Sequence, residues 1–249
     1  MFSRISFFLF FLLSIHFTAY AQVNYDDTVS YNSAEVNIDM VSCSWRNNLF
    51  FIYKYDTIRI NEYAGDFIKG KLNGSFFFCE YKLRAGSGSS IKNKIVLCVD
   101  GGRLYECMNV TSFIKTSPWD PLDTNMHADK AEEGQEYKAS FSYIGSCLNI
   151  HVDDKSCSAS VPEDNFNVSD DVTLKFDSLQ HIFYSAVVEL GGSYIIVYNS
   201  PGNKQCIIDL KYGKYPLIKL GSMVYYFIKG KWFQRGRDNY LMLLSDKLG

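Results

Sequence analysis

Cysteine is the residue type with the richest chemistry in this 249-residue sequence, and it occurs seven times. No two cysteines have the Cys-x-x-Cys spacing of a redox or zinc motif, so we interpret them as disulfide candidates. An odd number leaves at least one thiol free or joined to another chain, which admits a disulfide-linked homodimer. The pairing cannot be read from the sequence. The candidates are Cys43, Cys79, Cys98, Cys107, Cys147, Cys157 and Cys206.

Histidines and carboxylates are the other residues that could carry a reaction. His127, His151 and His181 have no metal-ligand spacing to another histidine or to a cysteine. Adjacent carboxylates such as Asp153 and Asp154 could in principle cleave a glycosidic bond, which requires two carboxylates across a cleft. Adjacent acidic residues in polar segments are more typical of solvated turns. We therefore predict no enzyme, no metal site and no cofactor.

The first 21 residues have the pattern of an export signal. Arg4 supplies a positive start, residues 5–17 are almost unbroken apolar sequence, and residues 19–21 form a small-x-small cleavage site. The apolar run is too short to span a bilayer, and no later run is longer. We expect residues 1–21 to be a signal peptide that is removed, and the remaining chain to be secreted and extracellular, without membrane insertion.

Export would bring the cysteines into an oxidising compartment and would make N-glycosylation available. Sequons begin at Asn73, Asn109 and Asn167, although about two are expected by chance in such a chain. Loss of Arg4 with the signal changes the formal net charge from −2 to −3. A weakly acidic chain without runs of Lys or Arg argues against nucleic acid as a partner.

The elements that must position these residues are predicted to be strands. The chain has 19 Phe and 18 Tyr but only 5 Pro, a composition that favours β-structure. Apolar patterns predict strands at residues 49–55, 66–71, 75–83, 94–99, 136–143, 148–152, 172–176, 184–189 and 194–198. Turn sequences occur at residues 73–74, 100–102, 153–154 and 191–192. Because no long amphipathic helix is evident, we predict an all-β fold, an antiparallel two-sheet β-sandwich of jelly-roll type.

A short sequence repeat indicates a second unit near the C-terminus. Phe-Ile-Lys-Gly-Lys at residues 67–71 recurs at residues 227–231. Residues 43–86 are echoed by residues 206–249, with a cysteine ahead of each pentapeptide and an apolar run ending in glycine after it. We predict that residues 191–249 are a partial second repeat or a C-terminal β extension. Coincidence is the alternative, since β-proteins reuse such short patterns.

Four segments occur in a characteristic order between residues 66 and 189. They are the strand pair formed by the Gly70 strand and residues 75–83, the strand at residues 94–100, the segment Ser117-Pro118-Trp119-Asp120, and residues 133–137 ahead of residues 148–153. In this order and pattern the chain resembles the galectins, a family of β-galactoside-binding sandwiches. The resemblance implies a galectin-like β-sandwich at residues 40–190.

The same resemblance implies a sugar-binding face formed by Asp100, Arg103, Asn109 and Trp119. Trp119 would stack on the apolar side of a sugar ring, and Arg103 is the nearby arginine for charge-assisted hydrogen bonds. The motif is degenerate, since Cys98 occupies the position of the family's histidine, and a glycan on Asn109 would cover the face. The expected function is a secreted module that binds glycans or glycoproteins. The alternative is a protein-interaction or structural β-sandwich that has lost carbohydrate binding.

Overall fold

The chain is all-β, which confirms the predicted fold class at that level. A computed structural model describes residues 27–32, 37–43, 47–85, 89–116, 134–144, 147–157, 166–198, 204–236 and 239–248. These ranges contain 18 strands in large antiparallel sheets and no helix, and so none that is long and apolar enough to cross a membrane. The predicted signal peptide at residues 1–21 and Trp119 lie outside the described residues.

The strands are numbered in chain order. The first nine are β1 (Asp27–Asn32), β2 (Asn37–Cys43), β3 (Asn48–Tyr53), β4 (Asp56–Ile60), β5 (Tyr63–Asn73), β6 (Phe76–Leu83), β7 (Ser89–Asp100), β8 (Arg103–Thr116) and β9 (Gly134–Ile144). The other nine are β10 (Cys147–Cys157), β11 (Phe166–Asp177), β12 (Ile182–Tyr184), β13 (Ala186–Tyr198), β14 (Gln205–Leu220), β15 (Met223–Ile228), β16 (Lys231–Arg235), β17 (Tyr240–Leu243) and β18 (Asp246–Leu248).

Eight strands form the largest sheet, called sheet B here, in the order β12-β11-β10-β9-β8-β7-β6-β5. Each strand lies beside its neighbour in sequence, as in a meander. The sheet is strongly curled, so that strands far apart in its order come into contact. The Phe76 ring on β6 lies 5.0 Å from the Phe176 ring on β11 and 5.2 Å from the Phe183 ring on β12, centroid to centroid. Its concave face holds an apolar cluster that includes Val96, Met108 and Phe183.

Sheet A covers the convex face of sheet B. It has the order β1-β2-β3-β4-β18, so its last strand comes from the far end of the chain. Alternate residues of each strand face the partner sheet. Phe51 and Ile58 of sheet A pack with Phe77 and Leu97 of sheet B in one buried cluster, and the rings of Phe51 and Phe77 are 6.1 Å apart. The two sheets therefore share a core.

The five strands β13 to β17 form a closed barrel, called the C-terminal barrel here. It closes because β17 pairs in parallel with β13, whereas the other pairs are antiparallel. Ile196, Leu210, Phe233 and Leu241 lie in its own buried interior. The barrel thus has a core separate from that between the sheets.

The C-terminal barrel also covers an open edge of sheet B. Strand β8 pairs with β9 only at residues 113–115. Beyond that point, the backbone N–H of Thr111 donates to the Tyr225 hydroxyl over 3.0 Å, and Trp232 Nε1 donates to the Glu106 carbonyl oxygen over 3.2 Å. Both aromatic side chains are fully buried. They give partners to backbone groups that a bare strand edge would leave unpaired.

Two of the predicted turns are confirmed and two are wrong. Gly74 and Gly101 occupy the turns of the β5–β6 and β7–β8 hairpins with φ of +59° and +55°. Residues 153–154 instead lie within β10, which pairs along its length with both β9 and β11. Residues 191–192 form a bulge inside β13. Two adjacent aspartates or two adjacent glycines are therefore not enough to distinguish a turn from the interior of a strand.

The repeated pentapeptide has two different backbone structures. Residues 67–71 lie inside β5. Residues 227–231 instead form the end of β15, a turn at Lys229 and Gly230, and the start of β16. Shared sequence therefore does not give shared local structure here. The domain limits predicted at residues 40–190 and 191–249 stay predictions.

Candidate functional site

The residues predicted to bind sugar do not form one cluster. Asp100 and Arg103 face each other across the β7–β8 turn, and both are exposed. Asp100 Oδ2 lies 3.5 Å from His181 Nε2. Asn109, in contrast, has no exposed surface. The fourth residue, Trp119, lies outside the described residues.

Asn109 is held inside the fold by two side chains. The Tyr81 hydroxyl donates to Asn109 Oδ1 over 2.8 Å, and Asn109 Nδ2 donates to Glu106 Oε1 over 2.9 Å. An amide with no exposed surface can neither contact a ligand nor carry a glycan in this fold. We therefore correct the prediction for Asn109 in both roles. The sequon residues Asn73 and Asn167 are exposed, and their glycosylation stays a prediction.

The concave face of sheet B carries a groove of about 420 Å³. Three aromatic side chains line it: Phe78, Phe141 and Tyr143. Four polar side chains surround them: Lys71, Asn73, Glu80 and Lys94. All seven are exposed or half-buried, so they are within reach of a ligand.

Strand alternation and register explain why these groups meet. Phe78 and Glu80 follow each other at a spacing of two on β6, so both point to the concave face. Lys71 pairs with Phe78, and Lys94 pairs with Glu80. The curl of the sheet then brings Tyr143 of β9 within 6.0 Å of the Phe78 ring, centroid to centroid.

The charged groups of the groove are held by the fold. Lys94 Nζ lies 4.5 Å from the centre of the Phe141 ring, a cation–π contact. Burial lowers the pKa of Lys94, and the nearby Glu80 carboxylate partly opposes this shift. Glu80 accepts a hydrogen bond from the Ser112 hydroxyl over 3.0 Å and lies 3.6 Å from Lys92 Nζ. The groove thus presents a positioned ammonium and a positioned carboxylate beside aromatic rings.

A second cavity of about 350 Å³ lies where the two sheets meet the C-terminal barrel. Its Glu106 carboxylate accepts hydrogen bonds from Ser245 and Asn109, and burial raises the pKa of this carboxyl. Lys231 Nζ lies 3.2 Å from Asp246 Oδ1, and Lys247 Nζ donates to a backbone carbonyl over 2.8 Å. Each of these charged groups already has a partner within the fold. The groove is the better candidate for ligand binding, because three aromatic rings line it beside its charged groups.

The sequence contained only part of the signal for this groove. The spacing of two between Phe78 and Glu80, and between Phe141 and Tyr143, indicates a shared face within each strand. The contact between the two pairs depends on the curl of the sheet. Curl arises from packing of the whole sheet, so a strand pattern does not reveal it.

The described cysteine thiols are not joined to one another. Cys79, Cys98 and Cys107 are buried, Cys147 is half-buried, and Cys206 is exposed. The side chains of Cys43 and Cys157 lie outside the description. The disulfide candidates therefore stay predictions. In the part of the chain that the structure describes, no three His, Cys, Asp or Glu side chains are grouped so as to hold a metal ion.

Comparison with known proteins gives no match. No family model, no curated protein and no solved structure matches the chain. The resemblance to galectins therefore stays an expectation.

Proposed function

We propose that this chain is a secreted, galectin-like β-sandwich of jelly-roll type that binds glycans or glycoproteins through the groove on sheet B. The observation that carries the proposal is the set of aromatic rings beside fixed charges. Phe78, Phe141 and Tyr143 offer flat apolar surfaces, while Lys94 and Glu80 offer a donor and an acceptor of hydrogen bonds.

A sugar ring has the chemistry that such a groove complements. One side of the ring carries C–H groups that pack on an aromatic face, and its edge carries hydroxyls that both donate and accept hydrogen bonds. Lys71 and Asn73 add further polar groups at the rim. A purely apolar ligand would cover the Lys94 ammonium without offering it an acceptor, which disfavours that class.

Asn73 gives the groove a feature that any binding test must control. It begins a sequon, it is exposed, and it lies at the rim of the groove. An N-glycan on Asn73 would therefore start beside the aromatic rings and compete with an external glycan. The chain should be tested both as wild type and as Asn73→Gln.

The experiment is a glycan-array measurement on the full chain, exported with its own leader. Phe141→Ala should weaken binding about tenfold or more, because stacking on one ring contributes about 0.5 to 1.5 kcal/mol in addition to burial. Tyr212→Ala is the control, since Tyr212 is an exposed aromatic residue on the C-terminal barrel. A thermal melt shows whether each variant is folded.

The outcomes distinguish the sites. Loss of binding in Phe141→Ala but not in Tyr212→Ala supports the groove. Loss in Arg103→Ala with retention in Phe141→Ala would move the site to the β7–β8 turn. Absence of binding by folded Asn73→Gln protein would reject glycan recognition and leave the interaction or structural alternative.

A second candidate function has one observation in its favour. Ile207 and Tyr212 on β14 are large apolar side chains with 71% and 89% of their surface exposed. Large exposed apolar side chains mark a protein contact where they form one contiguous patch. A protein partner bound at the C-terminal barrel would agree with an interaction protein that lacks carbohydrate binding.

A further inference from the structure

Two thiols meet in the core under the concave face of sheet B. Cys98 lies on β7 and Cys107 on the adjacent strand β8. Both belong to the same buried cluster, with 4% and 0% of their surface exposed. Other residues of this chain surround them, so a partner for either sulfur must come from this core.

A β-bulge explains why the two thiols face the same side. Val96 pairs with Met108, but the next residue, Leu97, pairs with Glu106. Cys107 is therefore the extra residue of the bulge, and its side chain joins that of Met108 in the concave cluster. In this position the Cys107 thiol donates to the carbonyl oxygen of Tyr105 over 3.9 Å, and Tyr105 is the residue that pairs with Cys98 on the adjacent strand.

We propose that Cys98 and Cys107 form an intramolecular disulfide in the mature protein. The oxidant is an external disulfide, either of small-molecule type such as oxidised glutathione or of a thiol–disulfide oxidoreductase. The two cysteines lose two electrons and two protons, and the external disulfide is reduced to two thiols.

The exchange with the external disulfide proceeds in two steps. One of the two cysteines attacks as its thiolate, releasing one thiolate from the external disulfide and leaving a mixed disulfide. The other cysteine then loses its proton and attacks the cysteine sulfur of the mixed disulfide, which releases the second thiol.

The burial of both sulfurs implies that the disulfide forms before folding is complete. An oxidant cannot reach the buried sulfurs of Cys98 and Cys107 in the folded chain, so oxidation takes place while the β7–β8 hairpin is still open to solvent. Once the core has packed, the same burial protects the bond from reductants. Five cysteines remain, of which Cys206 is exposed, and so Cys206 is the described thiol best placed to join a second chain.

Peptide mapping of the full chain, secreted with its own leader, tests the pairing. Free thiols are alkylated, and trypsin is applied without reductant. Because Arg103 separates the two cysteines, cleavage gives residues 95–103 with Cys98 as their one cysteine and residues 104–115 with Cys107 as theirs. The expected product is these two peptides joined, two hydrogens lighter than their sum, and separated by reduction.

Two other products would overturn the proposal. One is the pair of peptides recovered separately, each alkylated. The other is either peptide joined to a different cysteine. Because this test uses the wild-type chain, it does not depend on whether a cysteine variant folds.

The rate of reduction gives a second readout. With dithiothreitol alone the bond should persist, and with denaturant added it should be reduced at least about tenfold faster, because the sulfurs become accessible. Equal rates in both conditions would contradict a buried bond. Cys79→Ser is the matched control, since Cys79 is a buried cysteine on the other face of the sheet and its replacement should leave the linked peptide unchanged.

Discussion

Asp154 shows how one buried side chain ties two parts of the fold together. Its Oδ2 accepts hydrogen bonds from the backbone N–H and the hydroxyl of Ser222, over 2.9 Å and 2.6 Å. We predict that Asp154→Ala lowers the free energy of unfolding by about 3 kcal/mol, because buried donors lose a charged acceptor. Asp153→Ala is the control, since Asp153 is half-buried, and it should cost less than about 1 kcal/mol. Urea unfolding measures both, and equal losses would contradict the assignment.

His151 provides a second test on the surface of β10. A hydrogen bond with Asp171, 2.8 Å from Nδ1, raises the pKa of His151 above its ordinary value of 6.5. Asp171→Asn should therefore lower this pKa, as measured by NMR titration of the imidazole protons. The stabilisation from this pair is present below pH 6.5 and is lost as pH rises through the raised pKa. Asp170→Asn, on the other face of β11, is the control and should leave the pKa of His151 unchanged. An equal fall in the pKa in both variants would show that it does not depend on a specific contact with Asp171.

Single residues were the hardest part of the site to predict. Asp153 and Asp154 have the composition of a turn, yet strands pair with both edges of β10 and keep them in the sheet. Asn109 matched a family position and a sequon, yet Tyr81 and Glu106 hold it in the core. Local composition does not show which strands or side chains from elsewhere in the chain contact a residue. Those contacts decided whether Asp153, Asp154 and Asn109 lie in a turn, in a strand or in the core.

At the scale of elements, the C-terminal barrel replaces a missing strand neighbour of β8. We predict that Tyr225→Phe destabilises the fold by about 1 to 3 kcal/mol, because the buried N–H of Thr111 loses its acceptor. It should also accelerate amide exchange at Thr111. Tyr226→Phe is the matched control on the same strand, since its hydroxyl takes part in one long contact, 3.4 Å from Arg235 Nη1. Unchanged exchange at Thr111 in Tyr225→Phe would show that the barrel does not protect this edge.

Strand existence was largely predictable, and strand arrangement was not. Alternating apolar residues identified β3, β6, β7 and β9, because one buried face imposes a period of two. The curl that brings β6 to β9, and with it the aromatic groove, comes from packing between strands far apart in sequence. The closing pair of β13 and β17 is likewise a long-range contact. The sequence therefore predicted the strands that supply the groove but not the groove.

On the scale of the whole molecule, the two ends of the chain are joined through β18. This last strand pairs with β4, and Asp246 on it contacts both Arg59 of sheet A, at 3.0 Å, and Lys231 of the C-terminal barrel, at 3.2 Å. Ser245, just before it, donates to Glu106 of sheet B. Three sheets thus meet at one short segment. Such a junction makes their unfolding cooperative, because loss of the segment removes partners from all three.

Truncation tests this cooperativity. Removal of residues 244–249 should speed amide exchange in β4, which loses its edge neighbour, and also in β16, which loses the contacts of Leu244 and Asp246 with Trp232 and Lys231. Removal of Gly249 alone is the control and should leave both unchanged, since it lies beyond β18. If exchange rises in β4 but not in the barrel, the segment only covers a sheet edge. A rise in both, together with a single lowered urea midpoint, is the result expected of a segment that couples the N-terminal sheet to the C-terminal barrel.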